Sequence, residues 1–138
     1  MSAQQDNPYL IITLTDRPPV KIRKDDWLIL AEATDSECDS EYDFQANRTS
    51  KWALRVRQHD DGRAIVYGTY SHNSHFLHER NYGFREGELL QATPIEELPA
   101  AIRRVGRKMA EQDHCGDDAR RWAQIINDCI ADLPPVEI

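Results

Sequence analysis

Between Lys51 and Arg57 the chain alternates apolar and polar residues without a break, with Trp52, Leu54 and Val56 on one side and Lys51, Arg55 and Arg57 on the other. A period of two marks a half-buried strand. Asp60-Asp61-Gly62 then predicts a reversal, with Gly62 free to take the left-handed conformation that a three-residue hairpin loop needs. Ala64–Tyr70 supplies the return strand, rich in residues that suit a pleated surface. With Asp60–Gly62 as the loop, His59 faces Arg63, Val56 lies beside Val66, Leu54 beside Gly68 and Trp52 beside Tyr70. The opposite face carries Arg55 beside Tyr67 and Arg57 beside Ile65. A two-residue loop at Asp61-Gly62 would exchange the faces of the second strand. The first register is preferred because it sets Val66 and Tyr70 against the apolar row.

Away from this hairpin the patterns are shorter. Tyr9–Thr15 is apolar and β-branched and predicts a strand buried on both faces. Val20–Arg23 predicts a short strand with Val20 and Ile22 inward. Lys24-Asp25-Asp26 reads as the cap of a helix running to about Ala33, with Trp27, Leu30 and Ala31 toward the core. Ser71–Gly87 has no clean period and reads as a long loop, followed by a last strand at Glu88–Gln91. Thr93-Pro94-Ile95-Glu96 is a helix start, and Pro99 either kinks that helix or begins a second one. Leu98, Ile102, Val105 and Met109 form its apolar stripe. Gly116 interrupts the pattern and Asp117 or Asp118 caps the next helix. There Trp122, Ile125, Ile126, Cys129, Ile130 and Leu133 follow amphipathic spacing until Pro134-Pro135. The expected fold is α+β: a mostly antiparallel sheet of about four or five strands with a central hairpin at 51–70, one early helix, and two C-terminal helices packed on one face. A single domain over 1–138 is expected, with 1–7 as a disordered tail.

Composition changes this picture in a few respects. The 138 residues carry a formal charge of −7, with 30% charged and 40% hydrophobic residues. That is globular rather than disordered, and the acidic total argues against a generic nucleic-acid binder without excluding a local basic face. Cys38, Cys115 and Cys129 form an odd set without a close pair, so a disulfide framework is not expected. Cys129 falls on a helical apolar stripe as a small buried hydrophobe. Met1–Asn7 is polar and lacks the form of a signal peptide, and no apolar run is long enough to span a membrane. The expected location is the cytoplasm. The three tryptophans, Trp27, Trp52 and Trp122, each fall on a predicted inward face and read as core.

Four groups of residues could carry chemistry. His72, His75 and His78, with Glu79 and possible help from His114 and Cys115, offer imidazoles for a metal. The spacing converges poorly, however, and neither HExxH nor paired CxxC occurs, so no metal site or cofactor is expected. The same loop with Arg80 could serve acid–base or phosphodiester chemistry, as available parts without a spacing signature. Asp35, Glu37, Asp39, Glu41 and Asp43 place acids at every second position. The turn glycine and terminal glutamate of a calcium loop are missing. The row suits either a basic partner or a charged edge strand that blocks unwanted pairing. Finally, Lys51, Arg55 and Arg57 on the hairpin, interleaved with Tyr67, could hold single-stranded nucleic acid, and Arg103, Arg104, Arg107 and Lys108 could contact phosphates.

No catalytic signature appears, while two surfaces of opposite charge do. The expected function is a non-enzymatic interaction or regulatory module that binds another macromolecule, with a protein as the expected partner. Binding residues are sought among Asp35, Glu37, Asp39, Glu41, Asp43, Arg55, Arg57 and Tyr67. The alternatives are a hydrolase or nuclease using His72, His75, His78 or Arg80, and a nucleic-acid binder using the Arg55/Arg57/Tyr67 face.

Overall fold

A computed structural model describes residues 7–15, 17–39, 48–74, 81–92, 94–112 and 118–136. In chain order the strands are β1 (Tyr9–Leu14), β2 (Arg17–Arg23), β3 (Trp27–Asp39), β4 (Arg48–His59), β5 (Ala64–Ser74) and β6 (Tyr82–Leu90). Helices α1 (Leu98–Gln112) and α2 (Asp118–Ala131) follow. The strands form one sheet in the order β2-β1-β6-β5-β4-β3. Neighbours are antiparallel except for a short parallel junction, Thr13 to Glu86 and Leu14 to Gly87, where β1 leaves β6. The class is α+β as expected, but the sheet has six strands among the described residues rather than four or five.

The central hairpin takes the preferred register. Val56 pairs with Val66, Leu54 with Gly68, Trp52 with Tyr70, Arg55 with Tyr67 and Arg57 with Ile65. His59 N–H donates to the Arg63 carbonyl at 2.9 Å, and Gly62 closes the turn at φ +94°. The arms run longer than 51–70 because polar residues at each end still complete the ladder.

Four sequence expectations are corrected. The early helix does not form. Lys24–Asp26 make one 3-10 turn and the chain enters β3 at Trp27. A bulge between Ile29 and Ala31 admits Leu30 as an extra residue and reverses the phase of the strand. Trp27 and Ala31 are therefore both buried, but on opposite faces of the sheet; their four-residue spacing only imitates a helix. The long loop at 71–87 is also not found. Ser71–Ser74 extend β5 and Tyr82–Leu90 make β6, with 75–80 outside the described residues. Gly83 and Gly87 strip the side chains on either side of Arg85 from one row of β6, which hides its alternation. Finally, β1 is buried on one face only. Leu10, Ile12 and Leu14 are covered, whereas Tyr9 and Ile11 are exposed. β2 is wider than expected and begins before Pro18 and Pro19. As an edge strand it does not need their missing N–H groups.

The helices cover one face of the sheet. Trp52, Leu54, Val56, Ala64, Val66 and Tyr70 meet Leu98, Ile102, Val105 and Met109 of α1 and Trp122, Ile125 and Cys129 of α2 in a continuous core. Pro99 is accommodated in the first turn of α1, after a 3-10 turn at Ile95–Glu97. All three tryptophans are buried. Close approach of the helices depends on Gly106, where a Cβ would lie 2.3 Å from Ile126 Cγ1. Just beyond the end of α2, the Asp132 carboxylate accepts the Glu32 N–H of edge strand β3 at 2.9 Å.

The other face of the sheet is an interior too. β2 and β3 are the two edges of the sheet, yet only Lys24–Asp26 join them. Three linking residues reach at most about 14 Å. In a flat sheet the edges of six strands would stand about 24 Å apart. The sheet must therefore roll until its edges approach at the Arg23/Trp27 end. The roll lays Leu10, Ile12 and Leu14 of β1 and Ile22 of β2 against Ile65 and Tyr67 of β5 and Trp27 of β3, forming a second core. Among the described residues no helix is long and apolar enough to cross a membrane.

Candidate binding groove

Because strand partners share a face, the ladder places Lys51, Ala53, Arg55 and Arg57 of β4 beside Ser71, Thr69, Tyr67 and Ile65 of β5 on the concave side of the roll. Thr34 and Ser36 extend this surface on β3, and Arg85 on β6. At the closed end it is apolar. Toward the open end it becomes a groove of about 520 Å3 whose lining includes Thr34, Ser36, Lys51, Arg55, Thr69 and Ser71. This leads, through Arg55 and Thr69, into a smaller pocket of about 310 Å3 beside Arg57, Tyr67 and Arg85.

Each arginine is held differently. Arg55 Nε donates to Glu32 Oε2 at 3.0 Å, and both side chains remain partly exposed. Arg57 is only 9% exposed and Tyr67 only 2%. Arg57 Nε donates to the Tyr67 hydroxyl at 2.8 Å and its NH1 to the Trp27 carbonyl at 2.9 Å. Arg85 Nε donates to Thr69 Oγ1 at 3.2 Å and its NH1 to the Ile11 carbonyl at 3.3 Å, bridging the gap where β1 departs from β6. Burial, above all, pulls the Arg85 guanidinium below its usual value. Tyr67 opposes this, while the like charges of Arg55 and Arg57 reinforce it.

Of the residues singled out in the sequence, Arg55, Arg57 and Tyr67 are thus brought together, but not as an outward platform. Tyr67 lies beneath β1, so its ring is closed to a stacking base. Asp35 and Glu37 project from the helix side of edge strand β3, where Arg121 of α2 takes both, at 3.3 Å from Asp35 Oδ2 and 2.5 Å from Glu37 Oε2. The same guanidinium lies 4.0 Å from the Trp52 ring centre. Those two acids therefore already have a basic partner within the chain. Asp39 ends β3 opposite Arg48, and Glu41 and Asp43 lie outside the described residues. His72 is on the helix side of β5, with Nδ1 2.9 Å from Ser50 Oγ and its ring 5.4 Å from that of Tyr82. His75, His78, Glu79, Arg80, His114 and Cys115 lie outside the described residues. On α1, Arg104 forms a two-pronged pair with Glu88, and Lys108 bonds Thr15.

Two charged residues of the groove are not singled out by the sequence: Arg85 falls in the expected loop at 71–87 and Glu32 in the expected helix ending near Ala33. The signal for Arg85 was the Gly83-x-Arg85-x-Gly87 row, a strand face stripped of bulk around one long cation.

The two described cysteines differ sharply in exposure. Cys129 Sγ is fully buried and 3.8 Å from the Leu54 carbonyl, and burial, with Asp132 and Glu32 nearby, pushes its thiol up to about 12. Cys38 is exposed. Brief alkylation of the native protein, mapped by peptide mass spectrometry, is expected to label Cys38 and spare Cys129 until denaturant is added. Equal labelling of the two would contradict the packing of α2. Comparison of the chain with protein-family models, curated proteins and solved structures yields no match.

Proposed function

We propose that this chain is a non-enzymatic binding module that recognises another macromolecule, a protein first of all, along the concave groove. The observation that carries this reading is the gathering of Lys51, Arg55, Arg57 and Arg85 on one recessed surface of a chain whose formal charge is −7. Two carboxylates also line the recess among the described residues, each with a cationic partner: Glu32 with Arg55 and Asp35 with Arg121. A cationic recess in an acidic protein attracts negative groups selectively, because the rest of the surface repels them. The acidic row is the weaker surface for a partner, since Asp35 and Glu37 are engaged by Arg121. We place the module in a reducing compartment such as the cytoplasm, in keeping with an odd cysteine set.

The test compares affinity capture by the wild type, by Lys51→Glu/Arg55→Glu, and by a variant with Asp35, Glu37, Asp39, Glu41 and Asp43 neutralised. Partners kept by the wild type and the acid-neutralised protein, but reduced about tenfold or more by the groove variant, are the expected result. Equal recovery by all three, or loss confined to the acid-neutralised protein, would refute the groove as the recognition surface. Retention of short DNA or RNA that weakens steeply with salt would instead assign the groove to phosphate backbones.

A further inference from the structure

The inner pocket has a chemistry of its own, and the inference drawn from it rests on reading the concave face as the recognition surface. Arg55, Arg57 and Arg85 all line it, and Lys24 stands at its edge. Arg57 and Arg85 hydrogen-bond only neutral oxygens among the described residues: a phenol, a hydroxyl and two backbone carbonyls. Burying a guanidinium without a counter-charge costs several kcal/mol in general, and an anion bound beside it would offset that cost. The Tyr67 hydroxyl accepts from Arg57 and so retains its own O–H as a donor. Leu10 and Ile29 give the walls an apolar part, and Thr69 and Glu32, the latter paired to Arg55, complete the lining. At about 310 Å3 the space matches a group of side-chain size rather than an extended polymer.

We propose that this pocket binds a single oxyanion, a carboxylate or phosphate monoester carried on a short apolar or aromatic stem, and that Arg55, Arg57, Arg85 and the Tyr67 hydroxyl donate to it. In a protein partner that group is an acidic or phosphorylated side chain, or a chain-terminal carboxylate, inserted as the anchor of the wider groove contact. Glu32 orients Arg55 at the rim, and Thr69 and the Ile11 carbonyl orient Arg85.

The probes are benzoate, phenyl phosphate and the neutral isostere benzamide, titrated into the full chain while the arginine Nε–H resonances are followed by 1H–15N NMR. Saturable shifts at Arg55, Arg57 and Arg85 with a midpoint near about 1 mM or below are expected for at least one of the two anions. Whichever saturates first identifies carboxylate or phosphate as the source. Arg85→Gln is expected to weaken that midpoint about tenfold or more, Arg85→Lys less, and Arg103→Gln not at all. The amide spectrum of each variant reports folding. If Arg85→Gln does not fold, the wild-type contrast between the anions and benzamide decides the matter. Non-saturating shifts for both anions, equal shifts with benzamide, or a folded Arg85→Gln that binds like the wild type would each overturn the proposal. If the anions fail while Lys51→Glu/Arg55→Glu still loses its partner, only the anchor is wrong. If they bind while partner capture is unchanged, the pocket stands and the macromolecular reading falls.

Discussion

Replacing Trp122 with alanine is expected to lower the free energy of unfolding by about 3–5 kcal/mol, measured by denaturant titration of the far-ultraviolet signal. Trp122 is fully buried in the core that α1 and α2 form with the sheet. Truncation leaves a cavity that neither helix can fill, because their approach is already limited by Gly106 against Ile126. A loss of this size is a large share of a small domain's total stability, typically about 5–15 kcal/mol. α2 also carries Arg121, which holds Asp35 and Glu37 on edge strand β3. Its loosening should therefore release that strand as well. Trp122→Phe keeps most of the volume and should cost clearly less. A loss below about 1 kcal/mol for the alanine variant would mean that α2 is not docked as described.

Gly87→Ala is the second large effect, with an expected loss at or above the upper end of the usual overpacking range of about 1–3 kcal/mol. A Cβ at this position would stand 2.3 Å from the Val66 carbonyl oxygen and 2.8 Å from Tyr67 Cβ. The nearest obstacle is backbone in the neighbouring strand, which cannot turn aside without breaking the β5–β6 ladder. Gly106→Ala provides the comparison. Its obstacle is the Ile126 side chain, which can change rotamer, so a smaller loss is expected from the same thermal or chemical unfolding measurement. Should the two variants prove equally mild, the tight pairing beneath Tyr67, and with it the shape of the inner pocket, would be wrong.

How much of this could be read in advance depended on how local each determinant is. The hairpin register was legible because strict alternation, Gly62 and the Val56/Val66 match all act within a few residues. The C-terminal helices were legible for the same reason, through the stripe from Trp122 to Leu133. The early helix was a misreading produced by a single bulged residue, Leu30, which turns a strand's buried positions Trp27 and Ala31 into helical spacing. β6 was hidden because Gly83 and Gly87 remove the side chains that would have displayed its period. The roll is a non-local property. It follows from a connection of only Lys24–Asp26 between strands that finish on opposite edges, and no window of sequence records which strands become edges. For that reason Arg55, Arg57 and Tyr67 could be placed on one face but not inside it. Arg85 could not be joined to them at all. Asp35, Glu37 and Asp39 alternate along β3, with Glu41 and Asp43 outside the described residues, but Arg121, the partner of Asp35 and Glu37, lies far along the chain and the pairing had no sequence signal.

The most direct test of the account is whether the second face of the sheet is enclosed. Nuclear Overhauser contacts between the Ile12 and Leu10 methyl groups and the Tyr67 ring report this without reference to any partner. In the rolled sheet these side chains share one core, and strong contacts are expected. In an open sheet of the same strand order, β1 would stand about 10 Å from β5, two strand spacings away, and the contacts would vanish. Their absence from a folded sample would contradict the roll, the burial of Arg57, and the groove inferred from both.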